Sequence, residues 1–260
     1  MRYHALAALV LPLALVGCKS NTMPDASLQN QLDDRKAQWA QGATRQTQTT
    51  YDEGVQAIIA TGVLDSAKNV GDRAPGFTLP DPLGREVALD SLLGEGPVIV
   101  VFYRGAWCPY CNLTLAAWEE SLEEVHGLGA ELVAISPQLP DYSLTSQEKN
   151  DLQFAVLSDV GHRVADRFGI VTQVTPGVLA LWEGKIDLAA HNGDTMGRLP
   201  LSATYLIDTD RTIHFAHLDA EYRNRAEPSE VIAALRALQI DQGRIEEPTE
   251  PKDSRRRRAY

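Results

Sequence analysis

Residues 98–112 read Val98-Ile99-Val100-Val101-Phe102-Tyr103-Arg104-Gly105-Ala106-Trp107-Cys108-Pro109-Tyr110-Cys111-Asn112. The apolar start of this segment, Val98 to Tyr103, predicts a buried strand. The amphipathic stretch Leu113 to Glu120 predicts a helix directly after the cysteines. A strand, a tight turn, a C-x-x-C pair and a helix in this order are typical of a thiol–disulfide site.

The start of that helix favours an ionised thiol. Backbone N–H groups of the first turn lack partners within the helix, and the helix dipole favours an anion there. Cys108 lies nearest to these groups, so we expect it to be the stronger nucleophile, with a lowered pKa. Pro109 fits the first helical position, which needs no N–H donor. Cys111, one turn further, can close a disulfide with Cys108.

A structural zinc site is the main alternative interpretation of a C-x-x-C pair. Such a site needs four ligands, and the chain has no second C-x-x-C motif to complete it. Two inert buried thiols are a further alternative, but a strand-to-helix turn is an uncommon place for them. We therefore prefer the redox interpretation and expect neither a metal nor a cofactor.

The third cysteine indicates where the protein resides. Residues 1–17 combine a basic start with an apolar run too short to span a membrane, which predicts a signal peptide. The run ends in Leu15-Val16-Gly17-Cys18, which resembles the lipobox of bacterial lipoproteins and implies a lipid anchor on Cys18. Lys19 favours the outer membrane, on its periplasmic side. In this oxidising part of the cell envelope, a disulfide needs a dedicated reductant.

The amino-acid composition argues against one class of binding partner and indicates a globular protein. The 260 residues carry a net charge of −11, which argues against nucleic acid, because phosphate binding needs clustered positive charge. A hydrophobic content of 44% with 23% charged residues is typical of a globular domain.

The chain divides into four regions. After the signal peptide, residues 18–69 predict a tether followed by one or two helices. Residues 70–240 alternate strand and helix patterns, which predicts an α/β domain with a central sheet flanked by helices. Residues 241–260 are polar with two prolines, which predicts a disordered tail.

Several motifs of residues 70–240 resemble the peroxiredoxin-like (AhpC/TSA-type) family of the thioredoxin superfamily. The similarity is greatest to a bacterial group with the motif F-Y-R-G-x-W-C-P-Y-C-N, which matches residues 102–112. Three further stretches match in order: Gly71 to Leu79 (G-x-x-A-P-x-F-x-L), Gly129 to Gln138 (G-A-x-L-V-A-I-S-P-Q) and Asp219 to Pro228 (D-x-x-Y-x-x-R-x-E-P).

This resemblance implies a thioredoxin-like fold with a mixed sheet, and a thiol peroxidase that reduces hydrogen peroxide or alkyl hydroperoxides. It also implies a thioredoxin-like or other dithiol reductant as partner. In the peroxiredoxin register Cys111 takes the attacking position, Cys108 replaces a threonine and Arg104 replaces a proline. The arginine that the family places before a later strand falls at Ser202. In the thioredoxin register Cys108 attacks instead, and the sequence leaves both assignments open.

Four residues are predicted to support the cysteines: Arg104, Trp107, Pro109 and Pro200. Arg104 is a candidate for the missing positive charge, although an exposed arginine in a turn is the simpler interpretation. Pro200 precedes a predicted strand, where thioredoxin-like folds place a cis-proline facing the cysteine pair. The competing function is an envelope thiol–disulfide reductase or isomerase, since Cys-Pro-Tyr-Cys also resembles glutaredoxins. A copper carrier fits less well, because those proteins resemble C-x-x-x-C.

Overall fold

The computed structural model describes residues 27–246. Its central sheet has five strands in the order β5-β4-β3-β8-β9. The strands β3, β4 and β5 run parallel, and β8 and β9 join in antiparallel pairing. The strands are β1 (Thr78–Pro80), β2 (Glu86–Ala88), β3 (Val98–Phe102), β4 (Glu131–Ser136), β5 (Ala155–Ser158), β6 (Val171–Gln173), β7 (Arg198–Pro200), β8 (Thr204–Ile207) and β9 (Ile213–His217).

Helices cover both faces of this sheet, which confirms the predicted α/β, thioredoxin-like fold. The longer helices are α1 (Leu28–Gly42), α2 (Arg45–Ala60), α5 (Pro109–Glu120), α7 (Pro140–Lys149) and α11 (Pro228–Asp241). The shorter ones are α3 (Val63–Ser66), α4 (Leu89–Leu93), α6 (Leu122–Gly127), α8 (Arg163–Phe168), α9 (Pro176–Trp182) and α10 (Leu188–Asn192).

The central strand β3 is apolar throughout because it is buried on both sides. Ile99 and Val101 pack under α5, α6 and α11, whereas Val98, Val100 and Phe102 pack towards α4 and α8. A strand covered on both faces has no polar alternation, as parallel sheets with helices on both sides require. The loop at the carboxyl end of this strand carries the cysteines, and it therefore starts in a buried environment.

Residues 171–200 form a unit that the sequence patterns did not reveal. The strands β6 and β7 pair antiparallel, and the chain between them forms α9 and α10. Val178 and Trp182 of α9 pack with Leu199 of β7 in a separate small apolar cluster. Pro176 occupies the first turn of α9.

The two N-terminal helices lie against the rest of the protein. Leu28 and Leu32 of α1 belong to the same apolar cluster as the two cysteines. The helix α2 packs on α9, and Gly54 permits the close approach, since a Cβ atom there would lie 2.9 Å from Val178 Cγ2. The start of α1 is held by Glu227, whose two carboxylate oxygens each accept from a backbone N–H, of Leu28 and Gln29, at 2.9 Å.

Replacing Glu227 with alanine is expected to loosen α1 while leaving the central sheet intact. The carboxylate satisfies two N–H groups at the positive end of the helix dipole, a contribution of about 1–2 kcal/mol. We expect faster hydrogen exchange in Leu28–Gly42, measured by mass spectrometry. Glu230→Ala, which removes an exposed carboxylate from the first turn of α11, is the control. Equal exchange of α1 in both variants would contradict this role of Glu227.

Two predictions need correction. The tail predicted to be disordered from residue 241 begins in an ordered turn, because Arg244 donates to Gln239 and Ile245 packs on the core. Every peptide bond in residues 27–246 is trans, so the cis-proline suggested at Pro200 is absent from the described chain.

The predicted signal peptide, Cys18 and the remainder of the predicted tail lie outside residues 27–246. Among the helices within that range, none combines the length and apolar character that a membrane crossing requires.

Candidate functional site

Two hydrogen bonds of Ala106 and a close approach of Gly105 to Trp107 fix the loop before the cysteine pair. The backbone N–H of Ala106 donates to Gln138 Oε1 at 2.8 Å, and its carbonyl accepts from Asn112 Nδ2 at 2.9 Å. Gly105 has a φ of +148°, and a Cβ atom there would lie 2.4 Å from Trp107 Nε1. Only glycine therefore allows the loop to pass beneath the Trp107 ring. Gln138 belongs to the G-A-x-L-V-A-I-S-P-Q stretch, so this part of the motif shapes the loop.

Both sulfurs lie at the start of α5 and are withdrawn from solvent. Cys108 is the residue before the helix, Pro109 is the first helical residue as predicted, and Cys111 completes the first turn. The two cysteines are 1% and 0% exposed, and both are free thiols. No side chain at the Cys108 position caps the helix N-terminus. The two cysteines belong to the same apolar cluster.

Arg225 brings a positive charge to Cys111. Its Nη2 atom lies 3.7 Å from Cys111 Sγ, and its Nη1 donates to the backbone carbonyls of Tyr222 and Asn224. The arginine is only 6% exposed. Two backbone carbonyls thus hold the guanidinium in one orientation, with its free edge directed at the sulfur.

Arg104 provides a second buried cation, which corrects the interpretation of an exposed turn residue. The side chain is 7% exposed. Its guanidinium lies 4.5–5.4 Å from the ring centres of Tyr222, Trp107 and Trp182, in cation–π geometry. Its backbone N–H is also among the groups that lower the pKa of Cys111. Trp107, predicted as a supporting residue, therefore contacts the arginine, and its ring lies tilted against that of Trp182 with 5.3 Å between the ring centres.

The charges around the sulfurs favour a thiolate at Cys111. Within residues 27–246, neither Arg104 nor Arg225 forms an ion pair with a carboxylate. A buried cation without a counter-charge is costly, so an anion beside these two is strongly stabilised. Although burial opposes ionisation, the hydrogen bond from Cys108 and the charges of Arg225 and Arg104 hold the pKa of Cys111 well below its usual range.

Cys108 shows the opposite shift. Its pKa is raised well above the usual range by burial, by the hydrogen bond it donates to Cys111 and by the charge of Cys111, and the two arginines only partly offset this. These two directions run against the lower pKa expected at Cys108 from its place at the helix start. Two cations and a thiol donor converge on Cys111, and together they outweigh the dipole of a single helix.

A small cavity opens beside Arg104. Its volume is about 50 Å³, and its wall includes Val55, Val178, Leu199, Arg104 and Tyr222. Pro200 and Ser202 also line it, so the structure places Pro200 near Arg104, whereas neither cysteine is part of the cavity wall. The Ser202 hydroxyl is buried without a hydrogen-bond partner among the described residues.

Sequence reasoning did not assign a role to Arg225, Tyr222 or Trp182. The signal for the first two was present, because both stand in the D-x-x-Y-x-x-R-x-E-P stretch. Trp182 lies outside the motifs identified in the sequence. Its indole N–H donates to the Tyr51 hydroxyl at 2.7 Å, and its ring contacts Arg104. Within residues 27–246, no three histidine, cysteine or acidic side chains are grouped closely enough to hold a metal ion.

Comparison with known proteins places this geometry in context. Residues 70–216 match the family model described as AhpC/TSA family. Peroxiredoxin Bcp of Escherichia coli (strain K12) is 35% identical over 100 residues, which are 38% of this chain and 64% of that relative. The chain therefore spans somewhat less than two thirds of the length of this relative. Chloroplastic peroxiredoxin Q of Sedum lineare is 29% identical over 170 residues, covering 65% of this chain and 77% of its own.

One solved structure has a similar fold. Peroxidoxin BcpB from Mycobacterium tuberculosis is 25% identical and superimposes with a TM-score of 0.52, covering 65% of this chain and 97% of its own. The superimposed share leaves about a third of the chain unmatched, so the similarity concerns the core of the protein.

Proposed function

Because the chain belongs to the AhpC/TSA family, we propose that it is a thiol peroxidase that reduces hydrogen peroxide or alkyl hydroperoxides. Cys111 attacks the peroxide, and Cys108 then closes a disulfide with it. We assign the chain to the bacterial group with the motif F-Y-R-G-x-W-C-P-Y-C-N, on the match of residues 102–112. The relatives named peroxiredoxin support this activity.

The proposed cycle uses only the two sulfurs and an external dithiol. The Cys111 thiolate attacks the terminal peroxide oxygen, the O–O bond breaks, and a sulfenic acid and an alcohol or water result. Cys108 displaces the hydroxyl group from the sulfenic acid to form the disulfide. A thioredoxin-like or other dithiol protein reduces the disulfide and restores both thiols.

The observation that carries this proposal is the pairing of Cys111 with Arg225 and Arg104. A thiolate is the reactive form of cysteine, and both cations favour it over the thiol. The same cations favour the negative charge that develops on the leaving oxygen as the O–O bond breaks. Arg225 therefore takes the place of the arginine that the family resemblance led us to expect near Ser202.

The cavity beside Arg104 suggests how a small peroxide approaches. A volume of about 50 Å³ accommodates a few water-sized groups, because a single water needs roughly 10–15 Å³ on this measure. The side chain of Arg104 forms part of the wall, and its charge favours the Cys111 thiolate. We propose that the peroxide enters here and passes Arg104 to reach the sulfur.

Rapid mixing of the reduced protein with peroxide tests this function. We expect one peroxide to be consumed for each Cys108–Cys111 disulfide formed, measured by peroxide assay and by mass spectrometry of the thiols. The protein with both cysteines replaced by serine is the control and should consume none. If peroxide leaves the thiols reduced while a protein disulfide oxidises them, the protein is a thiol–disulfide reductase and not a peroxidase.

We also propose that the mature protein is attached to the outer membrane of a bacterial envelope through lipid on Cys18. The support is the lipobox-like Leu15-Val16-Gly17-Cys18 after an apolar run. Helix α1 starts at Leu28, which leaves a short tether between the lipid and the domain. The peroxidase site would then act on peroxides at the periplasmic side of the membrane.

Cys18→Ala is expected to release the protein from the membrane fraction while the oxidation of Cys108 and Cys111 proceeds as before. The lipid is attached through the Cys18 sulfur and amine, and a protein without it lacks the acyl chains that hold it at the bilayer. Fractionation of cells grown with a labelled fatty acid provides the measurement. A wild-type protein that carries no label would rule out the anchor.

A further inference from the structure

Arg104 is a buried cation whose guanidinium has no oxygen acceptor among the described residues. Within residues 27–246 its side chain forms no hydrogen bond and no ion pair, although only 7% of the residue is exposed. The rings of Trp107, Trp182 and Tyr222 lie 4.5–5.4 Å from the guanidinium. They attract its charge, but the N–H groups in its own plane still need acceptors. This environment therefore favours an acceptor, and a negatively charged one most of all.

Ser202 supplies a second donor on the wall of the same cavity. Both Ser202 and Arg104 line the cavity of about 50 Å³. Ser202 is 5% exposed, and its hydroxyl has no hydrogen-bond partner among the described residues. A buried hydroxyl that lacks a partner is costly, and native proteins satisfy most such groups. A single ligand with two acceptor oxygens would satisfy both side chains.

The remaining wall of the cavity is largely apolar. The aliphatic side chains that line it are Val55, Ile58, Val174, Val178, Leu199 and Leu201. Asp219 is also part of the wall, but its carboxylate oxygens accept from the Glu221 N–H at 2.8 Å and from Asn224 Nδ2 at 2.7 Å. A volume of about 50 Å³ holds only a few heavy atoms. A ligand that fits is therefore small, with one polar end for Arg104 and Ser202 and one apolar end.

Helix α2 completes the cavity from outside the part of the chain that matches the family model. It contributes Tyr51, Gly54, Val55 and Ile58 to the wall, and all four precede the matched residues 70–216. The Tyr51 hydroxyl accepts from the indole N–H of Trp182 at 2.7 Å, which joins α2 to α9. The ligand of this cavity therefore has to be inferred from the side chains of this chain.

We propose that this cavity binds a short, unbranched monocarboxylate such as propionate. The carboxylate accepts hydrogen bonds from the Arg104 guanidinium and the Ser202 hydroxyl, and the alkyl chain packs among the aliphatic side chains. A guanidinium and a carboxylate match in shape and charge. Phosphate and sulfate fit less well, because their further oxygens would face apolar groups. The proposal goes beyond the peroxidase function, since this binding involves no reaction of the cysteines.

Ligand-observed NMR of the reduced protein tests the site, with saturation transfer to the carbon-bound protons of propionate followed across a titration. We expect a dissociation constant on the order of 1 mM, which a ligand of about five heavy atoms can reach. Propionamide has the same shape without the charge and should bind about 10-fold more weakly. The affinity should rise about fourfold with each carbon from formate to propionate and fall at hexanoate, which exceeds the cavity.

Two variants connect the binding to this cavity. Arg104→Met removes the charge at a similar side-chain volume and should weaken propionate binding by about 10- to 100-fold, and Ser202→Ala should weaken it by about fivefold. Arg236→Met, which removes an arginine from an exposed ion pair, is the control and should bind propionate as the wild type does.

The proposal is overturned if the wild type does not bind propionate, or if propionamide binds as tightly as propionate. It is also overturned if either Arg104→Met or Ser202→Ala keeps the wild-type affinity. Should Arg104→Met fail to fold, Ser202→Ala and the comparison with propionamide decide. No peroxide is present in these titrations, so their failure leaves the peroxidase function intact, and a protein inert to peroxide leaves their result unchanged.

Discussion

Cys111→Ser is expected to lower the rate constant for peroxide reduction by on the order of 10⁴- to 10⁶-fold, the loss seen when an enzyme's nucleophile is removed. The hydroxyl of serine stays protonated at neutral pH, so the charges of Arg225 and Arg104 have no anion to stabilise. The measurement is stopped-flow oxidation under single-turnover conditions. Since Cys108 has a raised pKa, it is not expected to replace Cys111 as the nucleophile.

The matched variant is Cys108→Ser, which keeps a donor to Cys111 but cannot form the disulfide. It should complete one fast turnover and accumulate a sulfenic acid on Cys111, detected by a dimedone-type reagent and peptide mapping. The reverse pattern, with the trapped sulfenic acid on Cys108 in the Cys111→Ser protein, would show that the thioredoxin register applies and that the assignment made from the charges is wrong.

Arg225→Met should lower the rate of peroxide reduction at neutral pH by about 10- to 100-fold, because a charge-assisted hydrogen bond is worth about 1.5–3 kcal/mol. Methionine fills a similar space without the charge, so the pKa of Cys111 should rise. The thiolate is the reactive form. As the pH is lowered, the wild-type rate should therefore stay constant until the pH passes the depressed pKa of Cys111. The rate of the variant should begin to fall earlier, at a higher pH, because its Cys111 is protonated there. Rates and thiolate absorbance measured across pH test this.

Arg236→Met serves as the control for this experiment. Arg236 forms an exposed pair with Glu124 at 2.9 Å, so its loss removes the same charge from the protein without altering the site. We expect its pH profile to match that of the wild type. An Arg225→Met protein with the wild-type profile would show that Arg225 does not set the ionisation of Cys111.

The parts of the fold that were predicted correctly are those specified by local pattern. The strand predicted from Val98 to Tyr103 is observed at Val98–Phe102, because a short run of β-branched and aromatic residues has few alternatives. The same holds for α5, which includes the predicted helical stretch Leu113 to Glu120. Each of these signals lies within a few neighbouring residues.

The parts that were missed depend on contacts between distant segments. Arg225 lies 114 positions from Cys111 along the chain, and no local pattern indicates that it returns to the cysteine. The helix α9 is short, and its burial depends on α2 and on Leu199. The preference for Cys108 rested on the helix start, which can be identified from sequence, whereas the positions of Arg104 and Arg225 beside the cysteines cannot.

The contact between Trp107 and Trp182 gives the protein an intrinsic optical reporter. These are two of the four tryptophans in the chain, and Trp107 is joined directly to Cys108. When Cys108 bonds with Cys111, we expect the surroundings of the two indoles and of the Arg104 guanidinium that contacts both to change. Emission from this pair is thus coupled to the oxidation state of the sulfurs, so each half of the cycle can be followed in real time without a dye.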